Sequence, residues 1–251
     1  MGEQPVNHVG GAAYAGCMTR FEVNELFSVP RERQEPAPGA VHLPDWLNPE
    51  RQAQLVTQCR VWVRDSPMRH QVMPGGGRMS VQSVMLGRNW RPYRYGASAG
   101  PGIQELPDWL VHTGQRAAAD AYGELSELAL NFEPDSALIN YYDSQAHMGM
   151  HQDKDEYSAA PIVSLSLGDT CVFRFGNTET RTAPYQDIEL RSGDLFVFGG
   201  PSRYAFHGVP KVYPGTGGPQ LGMKHGGRLN ITLRMTGDGT SGGFGLEKRG
   251  G

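Results

Sequence analysis

An α+β fold, mainly β, with a double-sheet β-core is predicted by three features of this 251-residue sequence. Helix-spaced apolar residues are confined to the first half, strand-like segments follow one another after Asn131, and Gly and Pro are abundant, at 34 and 18 residues. Turn formers in that quantity suit many short strands better than a helical bundle. Helices first and antiparallel-looking strands afterwards is the order of an α+β chain.

Each element has its own local justification. Residues 1–37 are polar and rich in Pro, Glu and Arg towards their end, which predicts an N-terminal arm, partly flexible. Met18 opens "MTRFEVNELF" and is a second candidate start. In "LPDWLNPERQAQLVTQCRVWV", Leu47, Leu55, Val56, Cys59 and Val63 fall near helical spacing, with Asn48-Pro49 as a start signal. "PGGG" at Pro74–Gly77 is a turn or loop, and "LPDWLVHTGQRAAADAYGEL" is a second helix opened by Pro107-Asp108. "SALINYYD", "PIVSLSLGDTCVFRFG", "IELRSGDLFVFGG" and "GRLNITLRM" carry β-branched and aromatic residues between Gly, Asp, Pro and Ser turns, and read as strands. There is no internal repeat. The expected organisation is a single domain over 38–240 followed by a flexible tail, 241–251.

Hydrophobic content of 38% and charged content of 20% are those of an ordinary globular protein. The net charge of -3 excludes a basic field over the whole surface, so a nucleic-acid partner needs a local basic face. Cys17, Cys59 and Cys171 form neither a CxxC pair nor a disulfide framework, which points to a reducing cytoplasm. No apolar run approaches the roughly 18 residues that span a bilayer, and no basic-then-apolar signal opens the chain. A soluble, cytoplasmic protein without a membrane partner is expected.

The strongest chemical signal is His151-Gln152-Asp153, followed much later by His207. Residues two apart on a strand share a face, so His151 and Asp153 can reach one ion. His207 follows the strand "GDLFVFGG" and a short turn, in an expected antiparallel neighbour. Two imidazoles and a carboxylate on one side of an octahedron leave three positions open, which suits non-haem iron(II). An HxD pair alone is common, and a single histidine is more often a surface or hydrogen-bonded residue. The downstream strand tips the balance. In "RLNITLR", Arg228, Asn230, Thr232 and Arg234 share one face and Leu229, Ile231 and Leu233 the other. Two arginines facing inward are costly to bury without an anion, and a dicarboxylate ligand would satisfy both. The plainer reading of that strand alone is a solvated edge.

Taken together, these segments resemble the AlkB family of Fe(II)/2-oxoglutarate-dependent dioxygenases. "HQDKDE" (His151–Glu156) matches the family's metal segment. "PIVSLSLG" (Pro161–Gly168), "FRFG" (Phe173–Gly176), "SGDLFVFGGPSRYAFHG" (Ser192–Gly208) and "RLNITLR" (Arg228–Arg234) resemble its successive blocks in order and spacing. The likeness extends upstream through "PGGGRMSVQSVMLGRNW" and covers roughly 40–236. It implies a double-stranded β-helix (jelly-roll) core with flanking N-terminal helices. It also implies that His151, Asp153 and His207 are the iron ligands. Arg228 matches the arginine that pairs with the distal carboxylate of 2-oxoglutarate, and Arg234 the catalytic-site arginine near its other carboxylate. Asn140, Tyr142 and Asn230 match the co-substrate's hydrogen-bonding partners.

On the substrate side, Trp90 aligns with an aromatic that stacks on a flipped base. Tyr93 and Tyr95 fall where the family places nucleic-acid-contacting tyrosines, with shorter spacing. Asp155 matches an acidic residue at the base's exocyclic amine. Arg181 is the nearest equivalent of a pocket-rim arginine, with a slip of one residue. As ordinary residues, Trp90 and the tyrosines are core or surface aromatics. Arg78, Arg88, Arg91 and Arg94 gather in the same region, as a phosphate-binding face or as a solvated charged loop. The long Gly-rich stretch "PKVYPGTGGPQLGMKHGG" after His207 departs from the family pattern. His147 and His225 are not taken as ligands, since a fourth protein ligand would block the position dioxygen needs.

The function so implied is oxidative demethylation of N-alkylated bases, of the 1-methyladenine and 3-methylcytosine type, in DNA and by extension RNA. It requires Fe(II), 2-oxoglutarate and O2, and it releases formaldehyde and succinate. The base must be flipped or single-stranded, and the enzyme is expected to be a monomer. Two rivals stand beside it: a 2-oxoglutarate hydroxylase of a small molecule or protein side chain on the same scaffold, and a non-catalytic jelly-roll module that kept its metal.

Overall fold

The computed structural model describes residues 30–73, 75–88, 90–91, 94–95 and 103–237, with 90–91 and 94–95 described by backbone alone. Strands β1 (Gln34–Ala37) and β2 (Ala40–Leu43) lead into helix α1 (Pro49–Asp65). Then come β3 (Arg69–Val72), β4 (Arg78–Leu86), the two-residue strands β5 (Trp90–Arg91) and β6 (Arg94–Tyr95), α2 (Asp108–Tyr122) and the single turn α3 (Glu127–Leu130). The rest is strand: β7 (Ser136–Tyr142), β8 (Met148–His151), β9 (Ile162–Gly168), β10 (Thr170–Phe175), β11 (Gln186–Leu190), β12 (Leu195–Phe198), β13 (His207–Tyr213) and β14 (Arg228–Arg234).

Two antiparallel sheets carry the site. The larger has the order β1-β2-β12-β9-β14-β7-β4-β3 and the smaller β11-β10-β13-β8. This is the jelly-roll architecture expected from the sequence. The compact unit starts at Glu32, ahead of residue 38, because Gln34–Ala37 pairs with β2 as the sheet's edge strand.

Both faces of the large sheet are covered, and strand alternation assigns its side chains to two cores. On one face Val163, Leu165 and Leu167 of β9 and Leu229, Ile231 and Leu233 of β14 pack with Leu55, Val56, Cys59 and Trp62 of α1 and Leu110, Ala117 and Ala118 of α2. The opposite face meets the small sheet through Tyr142, Ile162, Phe196 and Phe198 against Phe173, Phe175, Val209 and Val212. Helix α1 begins where the sequence signals it. The Asn48 side chain accepts a hydrogen bond from the Arg51 N–H at 2.8 Å and Pro49 takes the first helical position, a cap worth about 1 kcal/mol. Helix α2 lies close to β14 because Gly114 has no side chain; a Cβ there would come within 2.8 Å of Leu233 Cδ1. That contact braces the central strand from outside while its other face lines the site.

Candidate active site

Strands β8 and β13 are neighbours, and their register sets His207 opposite His151. Gly208 permits the close approach, since a Cβ there would lie 2.7 Å from the Met148 carbonyl oxygen. The two imidazole rings stand 4.5 Å apart between centroids. Strand β8 ends at His151, so Asp153 reaches the same point by a turn of the chain rather than by strand alternation. The ligand atoms of His151, Asp153 and His207 all lie within 4.8 Å of one another, as a metal-holding group requires. Each Nε2 is 3.7 Å from a different oxygen of Asp153.

Main-chain carbonyls set the tautomers. His151 Nδ1 is 2.9 Å from the Gly149 carbonyl oxygen and His207 Nδ1 is 3.0 Å from that of Ala205. With Nδ1–H donating, each Nε2 keeps its lone pair for a cation. Burial, reinforced by the neighbouring His151, pushes His207 down to about 4 and outweighs the pull of Asp153. The ring is therefore neutral at pH 7, the form that binds metals. Burial by itself would raise the Asp153 carboxyl. Arg234 first, then His207, His151 and Arg203, overturn that and hold it well below the usual carboxylate range.

These three residues open onto a cavity of about 440 Å³ that is also lined by Asn140, Tyr142, Arg228, Asn230, Thr232 and Arg234. Arg228 is only 1% exposed. Its Nη2 donates to Ser166 Oγ at 2.9 Å, whereas Nε and Nη1 are buried with no hydrogen-bond partner. Unmet donors on a buried guanidinium are costly, and a carboxylate accepting at the Nη1 end offsets part of that cost. Nearby donors complement it. Ser83 Oγ donates to Asn140 Oδ1 at 2.8 Å, which leaves the Asn140 amide N–H groups as its free side. Burial pushes the Tyr142 phenol up, against the pull of Arg228, so it stays a neutral hydroxyl. The donor set thus fits a small dicarboxylate beside a cation.

The other two members of the β14 face are engaged within the protein. Asn230 Nδ2 donates to Ser164 Oγ at 2.7 Å and to the Leu165 carbonyl oxygen at 3.1 Å, while its Oδ1 accepts from Thr232 at 2.9 Å. Arg234 pairs with Glu156 through Nη1 and with Asp153 through Nη2, both at 2.8 Å. Glu156 and its second partner Arg203 were not singled out from the sequence. Their signal was a charged residue at the end of "HQDKDE" and another inside the largely apolar run before His207. Ser164 and Ser166 were equally legible as polar residues alternating with Val163, Leu165 and Leu167.

Among the substrate-side residues, Asp155 and Arg181 line the cavity, and the Arg181 guanidinium lies 5.8 Å from the Phe206 ring centroid. Trp90 pairs with Tyr95 across β5 and β6, while their side chains, those of Arg91 and Arg94, and the whole of Tyr93 lie outside the described residues. Arg88 is ion-paired with Asp135 at 2.8 Å, and Arg78 is exposed at the start of β4. His147 and His225 are exposed and stand apart from the ligand group. Among the described residues no helix is long and apolar enough to cross a membrane.

A jelly roll with two histidines and an aspartate at one end, and a buried arginine awaiting an anion, defines a class of oxygenase. A family model for the 2OG-Fe(II) oxygenase superfamily matches residues 39–234, and the chain belongs to that superfamily and, within it, to the AlkB family. It is 34% identical over 224 residues to the Escherichia coli K12 protein named alpha-ketoglutarate-dependent dioxygenase AlkB, across 85% of this chain and 98% of that one. An Arabidopsis thaliana protein named DNA N(6)-methyladenine demethylase ALKBH1D is 30% identical over 231 residues. That match takes in 84% of this chain but only 52%, about half, of the plant protein. A solved structure of OsALKBH1 superposes with a TM-score of 0.69 at 32% identity, covering 80% of this chain and all of that one. The family's cofactor and co-substrates are Fe(II), 2-oxoglutarate and O2, and the donor set described above fits them.

Proposed function

We propose that this chain is an Fe(II)/2-oxoglutarate-dependent dealkylase of N-methylated nucleic-acid bases, with DNA as the first substrate and RNA as the alternative. The observation that carries the reading is one cavity holding both the His151–Asp153–His207 group and the unpartnered N–H groups of Arg228. His151, Asp153 and His207 would hold the iron, and Arg228 the distal carboxylate of 2-oxoglutarate, with Asn140 and Tyr142 donating alongside. When bound, iron and 2-oxoglutarate supply the oxidation of a methyl carbon by O2, with succinate and carbon dioxide formed.

The protein's own part is to orient and to exclude water. Neutral His207 and anionic Asp153 present lone pairs to the cation without first losing a proton. Phe173, Phe198 and Phe206 add apolar lining to the cavity, and the first two pack against the His207 ring at 5.8 and 5.0 Å between centroids. Asp155 and Arg181 at the cavity would face the base, and Trp90, Tyr93 and Tyr95 would contact the nucleotide. Hydroxylation of the methyl carbon leaves an N-hydroxymethyl group, which sheds formaldehyde and restores the base. A base inside a duplex cannot reach this cavity unless it is flipped. A cytoplasmic setting is part of the proposal, supported by the unpaired, buried thiols of Cys59 and Cys171.

The test is formaldehyde release from a panel of oligonucleotides carrying 1-methyladenine, 3-methylcytosine or N6-methyladenine, in DNA and RNA, with and without 2-oxoglutarate. Release that depends on 2-oxoglutarate is expected for at least one base. Succinate formation with no formaldehyde from any oligonucleotide would transfer the chain to hydroxylation of a different substrate class.

A further inference from the structure

Glu156 and Arg203 do not line the cavity, yet they are among the most deeply buried charges in the protein, with side chains 0% and 2% exposed. Arg203 places all three nitrogens. Nη1 donates to the Asp153 carbonyl oxygen at 2.5 Å, Nε to the Ala160 carbonyl oxygen at 2.6 Å, and Nη2 to Glu156 Oε2 at 3.0 Å. The second oxygen of Glu156 accepts from Arg234 Nη1 at 2.8 Å, and Arg234 Nη2 pairs with Asp153 Oδ2 at 2.8 Å. The contacts close a ring. It leaves Asp153 at its main chain and returns to Asp153 at its carboxylate.

We propose that Glu156 and Arg203 are positioning residues for the metal-binding carboxylate of Asp153. The proposal rests on the ligand assignment made above. Arg203 fixes the backbone of Asp153, which the end of β8 leaves without strand pairing. Glu156 shares Arg234, so that one guanidinium is divided between two carboxylates. Without the Glu156 carboxylate, Asp153 is the remaining carboxylate of the ring, beside Arg234 at its Oδ2 and Arg203 at its main chain. Arg234 then binds Asp153 Oδ2 more strongly and competes with the cation for the same carboxylate. Partners behind a metal ligand act on metal affinity in this way, typically by about 10–100-fold.

The test is Mn(II) binding to the full chain, followed by the electron paramagnetic resonance of the free ion, with the melting temperature of the metal-free protein measured alongside. Glu156→Gln keeps the shape of the side chain and removes its charge, and is expected to weaken Mn(II) binding about 10–100-fold. A purely structural role would lower the melting temperature and leave Mn(II) affinity of the folded protein unchanged; that result overturns the proposal. If Glu156→Gln does not fold, Arg203→Lys serves instead, because an ammonium cannot span the three acceptors. Its Mn(II) affinity must fall, and a wild-type value overturns the proposal equally. The double variant Glu156→Gln/Arg203→Met removes the buried pair together. Recovery of melting temperature with Mn(II) binding still weak supports positioning, and recovery of both overturns it. Asp153→Asn separates the two readings: if it binds Mn(II) as wild type does, the ligand assignment itself fails. If only Asp153→Asn is weak, the ligand assignment stands and the positioning role falls.

Discussion

Arg228 and Arg234 open and close the same strand, point from the same face into the same cavity, and behave as opposites. Arg228 meets one serine hydroxyl and buries two nitrogens without partners. Arg234 has both terminal nitrogens on carboxylates of the protein. The difference comes from the neighbours each end of β14 meets. At Arg228 the paired strand β9 offers Ser166, small and neutral. The other end faces the segment after β8, where Asp153 and Glu156 lie. A buried guanidinium without a counter-charge can take an anion from outside, whereas one already paired with carboxylates is held within the protein.

The largest expected effect tests that contrast through stability. Arg234→Met leaves two buried carboxylates short of a partner and should lower the stability of the metal-free protein by about 3–5 kcal/mol. Arg228→Met removes a guanidinium with two nitrogens lacking hydrogen-bond partners and one neutral acceptor at the third, so the same measurement should show little loss, or a gain. Urea unfolding of both variants without 2-oxoglutarate reads the two signs. Equal losses at both positions would erase the distinction.

Ligand binding should reverse the order. Two charge-assisted hydrogen bonds at roughly 1.5 kcal/mol each amount to about a 100-fold weaker dissociation constant for 2-oxoglutarate in Arg228→Met, since tenfold is about 1.4 kcal/mol. Wild-type protein should gain thermal stability from 2-oxoglutarate with Mn(II), and the variant should gain much less. An undiminished 2-oxoglutarate shift in Arg228→Met would place the carboxylate elsewhere.

Much of this arrangement was legible because it is periodic. The apolar spacing of α1, the Asn48-Pro49 start and the alternation of β7, β9 and β14 each placed side chains on the correct face. The convergence of His151 and His207 followed from a neighbouring strand, whereas Asp153 joins them beyond the end of β8 and not by the strand alternation that the HxD spacing suggested. Strands β8 and β13, which carry the histidines, were legible as antiparallel neighbours, but their extents were not. "MGMH" is short and contains Gly. In "HGVPKVY", Pro210 argues against a strand, and it is tolerated because the β10–β13 register shifts there, between Val172 and Arg174. The unlike surroundings of Arg228 and Arg234 were invisible for a different reason. Both were expected to meet 2-oxoglutarate, since a strand pattern gives the face of a residue and not the charge that faces it from another element.

A pH dependence distinguishes the metal end of the cavity from the Arg228 end. His207 falls to about 4 in the folded protein, below its unfolded value of about 6.5. The unfolded chain therefore binds the extra proton first. This contribution to stability is complete above about pH 6.5 and is lost as pH falls towards 4, amounting to about 3 kcal/mol at most. Asp153 stays ionised throughout that window. Metal-free protein should lose stability between pH 6.5 and 4, and His207→Gln should flatten the slope. A slope unchanged in that variant would assign it to other groups. Arg228→Met, with no titrating group removed, should keep it.

The smallest effect probes the single contact Arg228 makes inside the protein. Ser166 Oγ accepts from its Nη2 at 2.9 Å, and one neutral acceptor is worth about 1 kcal/mol. In Ser166→Ala the guanidinium is still held by the extended strand β14 and the walls around it, yet it loses the contact that fixes its rotation. The 2-oxoglutarate dissociation constant should rise about fivefold, given roughly 1.4 kcal/mol per factor of ten, with Mn(II) binding unaffected. A loss as large as that of Arg228→Met would mean that Ser166 itself meets the co-substrate. No change at all would mean that packing alone aims Arg228, and that its unpartnered nitrogens are presented to the cavity by the backbone of β14.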